Sequence, residues 1–92
     1  MVLNKATFQV SIGGKILPKI TRQEFAILEL LLRNPKQVFS KEEIFEYAWD
    51  EPYMGETKTL DVHISNIRKK IKTVTSEEYI ETVWGIGYRL HL

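Results

Sequence analysis

The side chains of this chain that could do chemistry together lie between residues 57 and 73, where Lys58, Thr59, Val62, Ser65, Asn66, Arg68, Lys69 and Lys72 share one segment. Leu60, Ile64, Ile67, Ile71 and Val74 follow one another there at steps of four, three, four and three, the rhythm of a helix stripe that faces a core. A turn of about 100° per residue then puts Lys58, Val62, Ser65, Asn66, Lys69 and Thr73 opposite the stripe, Arg68 and Lys72 on one flank and Lys70 on the other. These types suit the major groove of duplex DNA, which admits one helix and shows a distinct donor and acceptor pattern for each base pair. An asparagine pairs with an adenine edge and a serine with base or phosphate. A valine touches a thymine methyl, and lysine or arginine neutralises phosphate or reaches guanine. A solvated, lysine-rich face of an ordinary amphipathic helix has the same composition, so the charge run alone does not separate the two readings.

The net charge of +1 hides an uneven distribution. From Glu24 to Glu56 eight acids face three bases, whereas from Thr57 to Thr73 five bases (Lys58, Arg68, Lys69, Lys70, Lys72) accompany Asp61 alone. The positive field therefore belongs to one element. If it neutralised about four to six phosphates, log affinity would fall with log salt at a slope of about −4 to −5.

The elements that must hold this helix can be read around it. Phe8–Ile12 and Lys15–Leu17 alternate as short strands about Gly13-Gly14, a two-residue hairpin turn. Thr21-Arg-Gln-Glu24 has capping-box spacing and opens a helix to about Asn34, with Phe25, Leu28, Leu31 and Leu32 on one stripe, Ile27 and Leu30 beside it, and Pro35 ending it. Ser40-Lys-Glu-Glu43 opens a second helix to about Trp49, facing inward with Ile44, Phe45, Ala48 and Trp49. Pro52 and Gly55 break the acidic stretch from Asp50 to Glu56 into a loop. Beyond the basic helix, Tyr79–Trp84, a turn at Gly85-Ile-Gly87 and Tyr88–Leu92 form a hairpin. The order predicts one α+β domain over residues 1–92: a winged helix-turn-helix with an N-terminal antiparallel sheet, three helices and a C-terminal β-hairpin wing.

Other chemistry finds little support. The 92 residues suffice for one core, and the apolar share of 43% and charged share of 27% are those of a soluble globular protein, with no apolar run that would span a bilayer and no secretory signal. Zero cysteines exclude disulfides and thiolate metal sites, in keeping with a cytoplasmic origin. His63 and His91 lack partners at metal-ligand spacing, so no metal is expected. Gly85-Ile-Gly87 lacks the third glycine and following helix of a phosphate loop. Glu42-Glu43 and Glu77-Glu78 sit near element starts, where capping and solubility explain them. With no nucleophile and base in a known arrangement, neither an enzyme nor a cofactor is expected. A protein-interaction module using the acidic loop around Tyr53 and Met54, or the sheet face, stays open as the alternative to a DNA-binding domain.

Four segments, Thr21-Arg-Gln-Glu-Phe25, Val38-Phe-Ser-Lys-Glu-Glu-Ile44 before Trp49, Thr59 to Ile71, and Thr82-Val-Trp-Gly-Ile-Gly-Tyr-Arg89, resemble the OmpR/PhoB family of bacterial response-regulator effector domains. The resemblance implies four N-terminal strands, three helices and a wing near the minor groove. It implies that Trp49, Lys58, Thr82 and Tyr88 contact phosphate, with Trp84 and Arg89 also on the wing, and that Val62, Ser65, Asn66 and Arg68 face the major groove. It implies that the loop of Asp50, Glu51, Tyr53, Met54 and Glu56 matches one that touches RNA polymerase in some members. It further implies a receiver domain with a phosphorylated aspartate, not included in this chain, and a partner sensor kinase. The isolated domain is expected to be a monomer that pairs in tandem on double-stranded DNA, half-sites one helical turn apart. Two departures stand out. Trp84 holds a position where the family often has arginine, and Ser65 and Asn66 hold positions often basic. Weaker phosphate affinity is expected, with Trp84 packing at the wing base or stacking on sugar.

Overall fold

The computed structural model describes residues 1–55 and 58–91, with Lys58 described by its backbone alone. Thr57 of the expected basic helix, Glu56 of the acidic loop and the final Leu92 lie outside the described residues.

The Gly13-Gly14 turn forms as the sequence predicts: both glycines have positive φ, 58° and 79°, which a tight hairpin connection demands. It joins β2 (Gln9–Ile12) to β3 (Lys15–Ile16), and β1 (Val2–Asn4) adds antiparallel on the other side of β2, with Leu3 opposite Val10. The two capping boxes form in full. At α1 (Arg22–Arg33) the Thr21 N–H donates to Glu24 Oε1 at 2.8 Å and the Glu24 N–H to Thr21 Oγ1 at 3.2 Å. At α2 (Lys41–Trp49) the Ser40 and Glu43 pair does the same at 2.9 and 3.0 Å. Each box satisfies two backbone groups that a helix start would otherwise leave bare, so the sequence spacing fixes where each helix begins. Asp50, in the left-handed region at φ 52°, ends α2 and turns the chain into the acidic loop before α3 (Lys58–Lys72).

The resemblance implies four N-terminal strands, and among the described residues three precede α1 and form the N-terminal sheet. The remaining short strand, β4 (Phe39–Ser40), lies between α1 and α2 and pairs instead with β6 (Gly87–Leu90), whose other side carries β5 (Ile80–Val83). Gly87 therefore belongs to a strand rather than to the turn. A Cβ there would overlap the carbonyl oxygen of Phe39, so glycine is what lets β4 approach β6. This small second sheet ties the start of α2 to the wing.

The α3 stripe goes where its spacing says. Leu60, Ile64, Ile67 and Ile71 are buried against Phe25, Ile27, Leu28 and Leu31 of α1, Ile44 of α2, and Ile80 and Leu90 of the wing, while Val74 is half-buried at the margin. Each such side chain contributes roughly 1.5–3 kcal/mol by leaving water, enough together to lock the rotation of α3 about its own axis. One member of the core has a charge: Glu24 is 1% exposed.

Candidate nucleic-acid interface

With its isoleucine edge inward, α3 leaves two flanks and an outer face, and the fold treats them differently. On one flank stands the wing. Arg68 Nη2 donates to the Ile80 carbonyl at 2.9 Å and to Thr82 Oγ1 at 2.8 Å, and its guanidinium lies over the Tyr88 ring at 5.6 Å. About two turns earlier, Asp61 Oδ1 accepts the Tyr88 hydroxyl at 2.8 Å, and Lys41 Nζ approaches Asp61 Oδ2 at 3.4 Å. These contacts clamp β5 and β6 along the helix and join the first residue of α2 to the same node.

The opposite flank meets α1 and α2. Lys70 Nζ sits 2.6 Å from both Glu24 Oε1 and the Lys19 carbonyl, neutralising the buried carboxylate that also caps α1. His63 bonds the Thr59 carbonyl through Nδ1 at 2.7 Å and meets Trp49 edge-on at 4.9 Å. Trp49 in turn stacks on Phe45 at 4.9 Å and 11° between planes, so its half-buried ring is a packing element first.

Apart from the Thr73 hydroxyl, which donates to the Lys70 carbonyl at 2.6 Å, the outer face carries no such tie among the described contacts. Val62, Ser65, Lys69 and Thr73 are exposed and Asn66 is half-buried, as the sequence predicts, with Thr59 exposed one turn before Val62. Lys72 is exposed but lies on the wing flank, near Ile80 and Thr82. Beside this face an open cleft of about 620 Å³ runs between the start of α2, α3 and the wing, lined among others by Lys41, Asp61, Arg68, Thr82 and Trp84. The face and cleft offer a ridge with hydrogen-bonding and methyl groups beside a hairpin, a shape that complements a grooved, anionic surface.

Several expected contact residues turn out to be engaged inside the protein. Arg68 is not a free groove-facing cation, because two bonds and the Tyr88 ring hold it against the wing. Tyr88 is 6% exposed with its hydroxyl proton given to Asp61, so it has no donor left for phosphate. Burial, then the hydrogen bond and charge of Asp61, push its phenol up to about 12. Arg89 pairs in bidentate fashion with Glu81 across the β5–β6 ladder, at 2.8 and 3.1 Å, and holds that carboxyl below its ordinary range. Thr82 accepts from Arg68, which leaves its own O–H pointing elsewhere as a donor. Trp84 does not pack at the wing base: it stands at the tip, 89% exposed. The acidic loop is pinned at Tyr53, whose N–H meets Glu46 Oε2 at 3.1 Å and whose ring meets Phe45 edge-on, and it leaves Met54 85% exposed.

The residues that sequence reasoning missed are Asp61, Lys41 and Glu24. Asp61 had one visible signal, being the lone acid within a basic helix. Glu24 and Lys70 had none, since 46 positions separate them and each had a satisfactory local explanation as cap and solvated base.

Three helices with a hairpin wing clamped to the last of them define a winged helix-turn-helix domain. Residues 17–90 match the family described as transcriptional regulatory protein, C terminal, and the chain belongs to that family, as a winged-helix effector domain of the OmpR/PhoB type. It is 39% identical over 87 residues to the uncharacterized transcriptional regulatory protein YclJ of Bacillus subtilis, covering 95% of this chain and 38% of that protein. It is 36% identical over 90 residues to the heme response regulator HssR of Staphylococcus epidermidis, covering 98% of this chain and 40% of that one. The chain thus spans about two fifths of the length of these relatives. Its fold is similar to the DNA-binding domain of the response regulator AdeR, solved in complex with an intercistronic region, with a TM-score of 0.83 at 27% identity over 97% of this chain and 90% of that one.

Proposed function

We propose that this domain binds double-stranded DNA in a sequence-specific manner, α3 in the major groove and the wing along the neighbouring minor groove, as the effector domain of a response regulator that controls transcription. The observation that carries the reading is the unengaged outer face of α3 standing beside the wing, with both held in register by the Arg68 clamp to Ile80 and Thr82. Family membership and the likeness to a DNA-bound AdeR domain support it.

In this reading Asn66 pairs with an adenine edge, Ser65 reaches a base or phosphate, and Val62 touches a thymine methyl. Lys69, Lys58 and Lys72 neutralise phosphates, the Thr82 hydroxyl donates to one, and the indole of Trp49 reaches the backbone from the far flank. The full-length regulator adds a receiver domain and answers a sensor kinase, and two domains occupy tandem half-sites one helical turn apart. The loop with the exposed Met54 faces RNA polymerase. No helix among the described residues is long and apolar enough to cross a membrane.

Because Arg68 and Lys70 are used inside the fold, fewer cations meet phosphate than the sequence count of five suggests. A salt titration on a duplex recovered by selection from random sequence should give a log–log slope of about −3, shallower than −4. Asn66→Ala should cost about 1–3 kcal/mol and relax preference at one base pair. Absence of binding to every duplex, or chemical-shift changes confined to the Asp50–Gly55 loop when duplex is added, would overturn the reading.

A further inference from the structure

The tip of the wing is apolar. Trp84 is 89% exposed and Ile86 56% exposed, on either side of Gly85, beyond the last ladder pair of Val83 with Gly87. From Ile80 to Leu90 the charged side chains are Glu81 and Arg89, and these neutralise one another through two hydrogen bonds. Arg68, at the wing base, is held by Ile80 and Thr82. The hairpin therefore presents two large apolar side chains and no unpaired cation to whatever it meets.

Trp84 and Ile86 also line the cleft that α3 and Lys41 share, so the apolar tip continues the surface assigned to DNA rather than forming a separate patch. Apart from the one N–H of the Trp84 indole the tip side chains have no donor for the acceptors on the floor of a minor groove, and the enhanced negative potential of a narrow A-tract rewards cations the tip does not have. What it can do is wedge. Apolar side chains pushed between base steps partly unstack them, and pyrimidine–purine steps yield most readily.

Resting on the DNA-binding reading above, we propose that Trp84 and Ile86 act as an apolar wedge in the minor groove beside the α3 site, and that they select a deformable T–A or C–A step there over a stiff A-tract. Sequence is then read at the wing through the ease of unstacking, with the indole face covering the opened step. Such contacts displace no counterions, so their share of the affinity does not vary with salt.

Anisotropy titrations on duplexes that keep one selected α3 site and differ in the step under the wing test this. The intact domain should bind the T–A duplex about fivefold more tightly than the A-tract duplex. The variant carrying Trp84→Ala and Ile86→Ala should lose about tenfold on the T–A duplex and lose the discrimination, with its log–log salt slope unchanged. Both side chains are exposed, and a thermal melt matching the parent establishes that the fold is intact. The wedge is overturned if the variant keeps the parent's affinity and preference, if its loss comes with a shallower slope, or if the parent prefers the A-tract. Gel filtration supplies another adverse outcome: self-association abolished by the two changes with DNA affinity untouched would mean a second copy covers the tip. If the parent binds no duplex at all, the α3 reading itself fails and takes the wedge with it, a pattern distinct from a parent that binds and a variant that binds equally well.

Discussion

Arg68 and Lys69 are consecutive on α3 and carry the same charge, yet the fold gives them opposite work. Arg68 stands on the wing flank, where Ile80, Thr82 and the Tyr88 ring surround it, and Lys69 stands one step round the helix, exposed and with no side-chain partner among the described contacts. The same contrast recurs between Lys70, drawn onto buried Glu24, and the exposed Ser65 and Val62. A recognition helix must be held at least as firmly as it must read. In this domain the flanks hold, with charges desolvated enough to matter, and the outer face reads, with side chains free to adapt to a groove.

The sharpest way to break this comparison is at Lys70. Lys70→Ala leaves the Glu24 carboxylate buried without its counter-charge and should cost about 2–4 kcal/mol in urea denaturation. A loss below about 0.5 kcal/mol would place Lys70 with the surface bases instead. Adding Glu24→Gln should recover part of the loss, because the two sites share one interaction.

Arg68→Ala should cost about 1–3 kcal/mol by leaving the Ile80 carbonyl and Thr82 without their donor. Hydrogen exchange should quicken along β5 and β6 while the N-terminal sheet stays protected. Uniform acceleration through the whole domain would mean that the clamp is not local to the wing.

The Tyr88 node gives a smaller, pH-dependent effect. Its folded value of about 12 lies above the ordinary 10.0, so the neutral phenol is the form the fold favours. That stabilisation is complete below the unfolded value and is lost as pH rises through the folded one. Tyr88→Phe should therefore be less stable than the parent by about 1 kcal/mol at neutral pH, and the gap should close between roughly pH 10 and 12. A gap constant through that window would exclude the Tyr88–Asp61 bond as its source.

Lys69→Ala should be the mildest for stability, within about 0.5 kcal/mol of the parent. Its effect belongs on DNA, where the log–log salt slope should become less negative by about 0.9. A destabilised Lys69→Ala with an unaltered slope would erase the distinction between face and flank.

The helix starts, the inward stripe of α3 and the hairpin turn at Gly13-Gly14 follow from the sequence because each depends on residues within a few positions of one another: cap to third residue, isoleucine to isoleucine, glycine to glycine. The same local periodicity placed Val62, Ser65, Asn66 and Lys69 outward. Periodicity gives the angle at which a side chain leaves a helix and says nothing of what stands there to meet it. Whether Arg68, Lys70, Tyr88 and Arg89 remained available to a ligand depended on Thr82, Glu24, Asp61 and Glu81 arriving from other elements. Only tertiary packing makes those encounters, because it brings 46 positions of chain between Glu24 and Lys70 down to one 2.6 Å contact and removes the water that would otherwise keep such charges apart.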